Sequence, residues 1–416
     1  MIAPEVGKQE LRKYEVGKAG GGVMPLSGIR VIDLGRVIAG PLGPMLLGDM
    51  GADVIKVESG QGDMLRQQAP SFSPGMGGYF TTANRNKRSV HVDLRKPGGD
   101  KLLRALMASA DVVVENFRPG IFDEMGFTDE VLARDFPHLV VARLSAFGDV
   151  GPMGHRSGVD QLVQGYSGLM AITGSEETGP IRSGVAISDV LGGLCNTIGI
   201  LGALMEKGQS GRGQVVRTSL LEATMSMLTV QAGRYFASGQ DPMPEGNHHP
   251  ASAPYGLFKT SDGQIQIMVA RNADFRLFAD FCGRPEWKDD PRFANAGARS
   301  INKYDMRAVV AEAMVEKTTE DWLDFFIDND IPHGPVLSIQ EAFESEQAKV
   351  LGMTVAMTAG DGVEIKSPRF PWRFNRTPAQ VRYPPPSVGE HTEEILAEVG
   401  LGDDPEVRAA LLELKT

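Results

Sequence analysis

Residues 28–58, GIRVIDLGRVIAGPLGPMLLGDMGADVIKVE, read as strand, glycine turn, helix and strand. Ile29, Val31 and Ile32 make a short apolar strand. Gly35, Gly40 and Gly43 punctuate the turn into a helix, and residues 52–57 form the next strand. This is one βαβ unit of a parallel sheet. The pattern recurs with a strand SVHVDL (89–94), a helix KLLRALMASA (101–110) and strands DVVVENF (111–117) and LVVARLSAFG (139–148). The alternation predicts an α/β fold with a Rossmann-like parallel sheet as a large domain over residues 25–228.

Further along, DPMPEGNHHPASAPYG (241–256) has the Pro and Gly content of a connecting loop. LFKTSDGQIQIMVA (257–270) reads as a hairpin turning at Asp262-Gly263. With helical patterns at 273–283 and 303–328, residues 229–345 are expected to form a smaller α+β domain. Residues 346–416 are expected to return to the large domain, through Pro384, Pro385 and Pro386 and a last helix from Thr392. Residues 1–24 carry Lys8, Arg12, Lys13 and Lys18 without an apolar core, so they read as a mobile extension and not a signal peptide.

The 416 residues, 42% hydrophobic and 23% charged, are ordinary for a soluble two-domain chain. A net charge of −11 argues against sequence-independent nucleic-acid binding and against docking on anionic membranes. Two cysteines, Cys195 and Cys282, make no disulfide framework and show no zinc spacing. A cytoplasmic location is therefore expected. The richest apolar stretch, 190–205, is interrupted by Asn196, Thr197 and glycines and reads as a buried helix, not a bilayer span. His248 and His249 have no carboxylate at metal spacing, so no metal is assigned.

Asp189 is the leading catalytic candidate. In RSGVAISDVLGGLCNTIGILGALMEKG (182–208) a small, apolar approach ends in this lone carboxylate, and a helical pattern follows through Val190, Leu191, Leu194, Ile198, Leu201 and Leu204 to Gly208. The residue reads either as a plain helix cap or as a carboxylate held ionised by helix amides and the macrodipole for covalent acyl chemistry. Asp160 and Gln164 lie one helical turn apart and share a face. Arg85, Lys87, Arg88, Arg95 and Lys96 in ANRNKRSVHVDLRKP (83–97) suit either phosphates or a solvated charged face. Asn116, Phe117 and Arg118 follow a strand, where α/β proteins hold ligands. The turn at 35–43 lacks the spaced glycines of a dinucleotide fingerprint, which counts against an NAD-dependent oxidoreductase.

Taken in order, GIRVIDLGRVIAGP, LLGDMGADVIKVE, NRNKRSVHVDLRKP, ADVVVENFRPG, GVDQLVQGYSGLMAITG, RSGVAISDVLGGL, GRGQVVRTSLLEA and GEHTEEIL resemble the class III CoA-transferases over roughly residues 25–400. These are the CaiB/BaiF-type formyl-CoA, carnitine and succinyl-CoA:dicarboxylate transferases. The resemblance implies an enzyme moving CoA reversibly from an acyl-CoA donor, succinyl-CoA being one candidate, to a carboxylic acid. CoA and acyl-CoA are then substrates, with no permanently bound cofactor. It implies that Asp189 is the nucleophile, passing through a mixed anhydride and an aspartyl-CoA thioester. It places Asp160 beside the nucleophile, Val37, Ile38 and Ala39 along the CoA path with Ile38 nearest the thioester, and Arg95, Asn116, Phe117 and Met125 on CoA. It also implies a homodimer of two interlocked open rings.

There are departures. Two family arginines that bind CoA are replaced by Ser59 and Glu124, leaving Arg118, Arg66 or Arg143 as phosphate partners. The glycine-rich flap of formyl-CoA transferases is replaced by GNHHPASAPYG (246–256), which speaks against a formyl-CoA/oxalate role. The α-methylacyl-CoA racemases share this fold and the aspartate but pair it with a His-Asp dipeptide. Here the dipeptide is Val159-Asp160, and two-base proton transfer loses a partner. A CoA-binding protein without catalysis would leave Asp189 without a task. Arg271, Arg182 and His248 are candidates for the second carboxylate of a dicarboxylic substrate.

Overall fold

The computed structural model of the chain describes residues 23–412. The proposed N-terminal extension therefore falls, except for Val23 and Met24, outside the described residues. The chain divides into two compact units: one runs to Leu169, resumes over Arg182–Gly233 and again from Glu346, and the other comprises Met170–Ile181 and Arg234–Ser345.

The first unit is built on a six-stranded sheet. Its strands are β1 (Arg30–Asp33), β2 (Asp53–Glu58), β3 (Lys87–His91), β4 (Val112–Glu115), β5 (Val140–Ser145) and β6 (Val215–Ser219), in the order β3-β2-β1-β4-β5-β6. Every pairing is parallel. Successive side chains of β1 point to opposite faces, as strand geometry requires. Val31 joins Leu47, Val54, Val112 and Ile200 on one side, and Ile32 joins Ile55, Leu102, Leu106 and Val113 on the other. Both faces must be covered, and helices do so. They include α1 (Ala39–Asp49) and α2 (Pro97–Ala108), whose Leu102, Leu103, Leu106 and Met107 form a buried stripe behind a proline in the first turn.

Three further helices frame the site: α3 (Asp160–Tyr166), α4 (Ile187–Ser210) and α5 (Leu220–Ser226). The structure corrects the reading of α4 in three respects. Gly208 does not end it. The helix runs to Ser210, and Gly211 (φ 73°) takes the left-handed position while its N–H donates to Lys207 O. Gly211→Ala is expected to cost about 1 kcal/mol, read as a lower urea midpoint with unchanged activity.

The apolar stripe is not the packed face of α4 either. Its buried residues are Ser188, Asp189, Gly192, Gly193, Asn196, Thr197, Ile200 and Ala203, whereas Ile198 is 66% exposed. Close approach of α1 and α5 is the reason. A Cβ on Gly193 would lie 2.9 Å from Ala39 O, and one on Gly192 would lie 2.4 Å from the Leu220 side chain. Finally, at 24 residues α4 is long and apolar enough to cross a bilayer by length and composition, contrary to the expectation that no segment is. Its small-residue face packs on α1 within this unit.

In the second unit β7 (Tyr255–Lys259) and β8 (Gln264–Met268) form an antiparallel hairpin whose turn is closed by Thr260 N–H donating to Gly263 O. Helices α6 (Asn272–Phe281), α7 (Lys303–Met314) and α8 (Thr319–Asp328) surround a core of Phe278, Trp322 and Phe326. A short strand β9 (His333–Gly334) completes the sheet. The chain then re-enters the first unit through the hairpin β10 (Thr354–Thr358) and β11 (Glu364–Pro368), followed by α9 (Thr392–Glu398) and a last helical turn, Pro405–Arg408. This last segment covers the edge strand β3: Asn86 N–H donates to Tyr383 O and His391 N–H to Ser89 O.

Candidate active site

Strand order reverses between β1 and β4, so the loops leaving their carboxyl ends diverge and open a crevice. A cavity of about 350 Å³ lies there, lined by Arg36, Val37, Ala39, Asn116, Phe117, Arg118, Leu144, Arg156, Val159 and Asp189, among others. A neighbouring cavity of about 240 Å³ shares Phe117 and Arg118 and continues past Glu115, Arg143, His155 and Arg217.

Asp189 is not the helix cap. Ala186 holds the N-cap position without a side-chain hydrogen bond, and Asp189 sits in the first turn, 9% exposed. The capping carboxylate belongs to Asp160, whose Oδ1 accepts the Ser188 N–H at 2.8 Å and the Asp189 N–H at 3.4 Å. Gln164 Nε2 donates to Asp160 Oδ2 at 2.7 Å and Gln164 Oε1 accepts the Ser183 N–H at 2.8 Å, so the anticipated shared face is used to brace this turn. The expectation that helix amides hold Asp189 ionised therefore fails. Its carboxylate has no hydrogen-bond or ion-pair partner among the described residues, and burial, followed by the charge of Asp160, pushes its pKa up to about 7. A carboxylate this basic and this poorly solvated is a stronger nucleophile than one in water.

The loop after β1 carries Val37 and Ala39 to the cavity, Val37 in the left-handed region at φ 68°. A β-branched residue there costs about 1–3 kcal/mol, which surrounding contacts must offset. Ile38 turns away into a cluster with Leu65, Met76 and Phe80 and does not line the cavity. Met125 packs against the apolar core of the α2 face and lines neither cavity. Arg95 is 86% exposed and paired with Asp93, also away from both cavities. Phe117 lines both. Asn116 lines the cavity of Asp189, but its amide is engaged with the protein. Oδ1 accepts the Arg36 N–H at 2.8 Å and Nδ2 donates to Arg36 O at 3.0 Å.

Within the basic cluster at 85–96, Arg95 and Lys96 are solvated, whereas Arg85, Lys87 and Arg88 have neither of the expected roles. Arg85 is buried on Asp49, Lys87 on Asp33, and Arg88 on Asp53, Glu394 and Glu398. The sheet and the helices α1 and α9 bring these distant carboxylates to the cations, and cation spacing alone carries no sign of them. Of the alternative phosphate partners, Arg66 is buried on Glu58 and Arg143 is paired with Asp123. Arg118 has no carboxylate partner among the described residues and lines both cavities. Sequence reasoning missed Arg36 and Arg156, which line the cavity of Asp189 from positions next to Val37 and four residues before Asp160. The candidates for a second substrate carboxylate are each engaged with neighbouring groups. Arg271 is paired with Asp274, Arg182 is on the first unit with its guanidinium on Ser183 O, and the His248 ring packs edge-on against Phe258.

A parallel sheet of this order, with a cavity at its switch point, is a ligand-binding α/β architecture, and the comparisons supply its chemistry. The model for CoA-transferase family III matches residues 26–392. A succinate–glutarate CoA-transferase of Agrobacterium fabrum is 37% identical over 382 residues, covering 90% of this chain and 96% of the relative. The human succinyl-CoA:glutarate CoA-transferase is 33% identical, covering 92% and 87%. The crystal structure of a CaiB/BaiF family protein from Brucella suis superposes with a TM-score of 0.80 at 35% identity, covering 90% of this chain and 99% of that one. A structure from Mycobacterium tuberculosis gives 0.79 at 30% identity, covering 90% and 100%. The chain belongs to CoA-transferase family III.

Proposed function

We propose that this enzyme transfers CoA from succinyl-CoA to a dicarboxylic acid of about five carbons, with Asp189 as the nucleophile. The observation that carries the mechanism is the Asp189 carboxylate, which lines the switch-point cavity with no polar partner among the described residues and whose pKa is pushed up to about 7 by burial. The choice of acids rests on the relatives named for succinate and glutarate.

Asp189 attacks the thioester carbonyl and forms a tetrahedral oxyanion, which expels CoA thiolate and leaves a mixed anhydride. The thiolate then attacks the aspartyl carbonyl, releasing the donor acid as its carboxylate and leaving aspartyl-CoA. The acceptor carboxylate attacks that thioester, and the returning thiolate takes the new acyl group and frees Asp189. No net proton is consumed. The uncapped amino end of α1, beginning at the cavity residue Ala39, supplies N–H groups for the oxyanions. Arg118, Arg36 and Arg156 provide positive charge for phosphates or for the acid.

A homodimer suits the exposed apolar side chains of α4 and the following helices, such as Ile198, Met205, Val230 and Phe236. The test is direct: incubate succinyl-CoA with a panel of mono- and dicarboxylates and identify the new CoA thioesters by mass spectrometry. Glutaryl-CoA is the expected principal product. No thioester exchange with any acid would overturn the reading.

A further inference from the structure

Beneath the cavity loop lies a cluster of four buried charges that the transfer chemistry above does not use. Asp33, Lys56, Asp63 and Lys87 are each at most 2% exposed. Lys87 Nζ lies 2.7 Å from Asp33 Oδ2, and Lys56 Nζ lies 3.4 Å from Asp63 Oδ2 and 3.8 Å from Asp33 Oδ2. Four buried charges are a poor way to gain stability, because apolar residues of the same volume would serve as well or better. Their hydrogen bonds point to another task.

Each member grips the backbone of the loop. Lys56 Nζ donates to Gly35 O and Lys87 Nζ to Pro41 O, both at 2.8 Å. Asp33 Oδ1 accepts the Gly35 N–H at 2.8 Å, and Asp63 Oδ1 accepts the Val37 N–H at 3.4 Å. Between these points Asn116 holds both backbone polar groups of Arg36. The clamp thus spans the segment that contains the left-handed Val37 and delivers Val37 and Ala39 to the cavity shared with Asp189. The space is tight as well: a Cβ on Gly40 would come within 2.7 Å of the Asn116 amide. A strained loop against a reacting centre needs such over-determination, since a displacement of about 1 Å costs roughly a hundredfold in rate.

We propose that the Asp33–Lys56–Asp63–Lys87 cluster holds the Gly35–Pro41 backbone in its reactive shape, making Lys56 and Lys87 positioning residues for CoA transfer at Asp189. The inference rests on the transfer reading of that cavity. It is tested with a double variant, Asp33→Asn with Lys87→Met, which removes both charges of a pair and leaves no unpaired one. The control is Asp49→Asn with Arg85→Met, a buried pair at the far end of α1 that touches Ser367 and Pro368 and not the loop.

At temperatures well below both melting points, the first variant is expected to lower kcat at least about a hundredfold with KM for acyl-CoA within about threefold. It should also speed hydrogen exchange of the 35–42 amides, while the control leaves kcat within about threefold and the loop protected. Equal kcat losses in both variants, or unchanged loop exchange in the first, would overturn the inference. If the double variant does not fold, Lys56→Met is read in the same way. In the unaltered protein the Gly35, Arg36 and Val37 amides should exchange as slowly as those of β1, and rapid exchange there would also overturn it. Absence of transfer by the unaltered protein would defeat the functional reading separately, because the exchange measurements decide the clamp without any activity.

Discussion

Asp189→Ala is expected to abolish CoA transfer, with a fall of at least ~10⁴-fold in kcat at saturating acyl-CoA and little change in acyl-CoA binding. The carboxylate is proposed to form both covalent intermediates, and among the described residues no other carboxylate lines its cavity. The nearest acid, Asp160, has both oxygens engaged with Ser188, Asp189 and Gln164. Incubation of the unaltered enzyme with acyl-CoA and hydroxylamine should leave a hydroxamate on the peptide containing Asp189. Full activity in the alanine variant, or label elsewhere only, contradicts the mechanism.

Replacing the same residue by asparagine should make the protein more stable. The folded state raises the Asp189 pKa from the ordinary carboxyl value of 3.8 to about 7, so folding favours the protonated form. That contribution is fully present below the unfolded value and is lost as pH rises through about 7, where the charge must be carried in a poorly solvated site. Asp189→Asn avoids the ionisation, and its stability gain should be larger at pH 8 than at pH 5, by ~2 kcal/mol. Urea unfolding at the two pH values reads this directly.

The second large effect concerns Asp160→Asn. Transfer needs Asp189 as the carboxylate, so kcat/KM should rise with pH through about 7 and then level. Burial is the largest cause of the high value and the charge of Asp160 the second. Asparagine can still accept the Ser188 and Asp189 N–H groups, so the turn keeps its cap while the charge is lost. The acid limb should move to lower pH and the high-pH plateau should fall, because a less basic carboxylate is a weaker nucleophile. Asp160→Ala loses the cap as well and should lower the plateau further, by another ~10-fold. An unmoved limb in the asparagine variant would show that Asp160 does not tune the nucleophile.

Much of the fold was legible locally. The βαβ rhythm from residue 28 onward requires a parallel sheet with helices on both faces, because neither a strand nor a one-sided helix can bury its apolar residues alone. The Asp262-Gly263 hairpin and the Asp160–Gln164 pairing were equally local, each resting on contacts within five residues. Asp189 stood out because its approach is small and apolar and a long helix begins there. The ordered motifs placed the chain in its family.

Tertiary structure decided what those residues do. Periodicity cannot say which stripe of α4 faces inward, and close packing on α1 selected its glycines, Asn196 and Thr197 over the leucines. Nor can spacing reveal that Arg85, Lys87 and Arg88 meet aspartates 35 to 54 residues away, which turned an apparent phosphate site into a buried framework. The cap passed from Asp189 to Asp160, 29 residues earlier, and with it the sign of the pKa shift. Local chemistry is written in the order of residues. Desolvation and charge neighbours depend on distances through space, and only the assembled sheet and helices fix those.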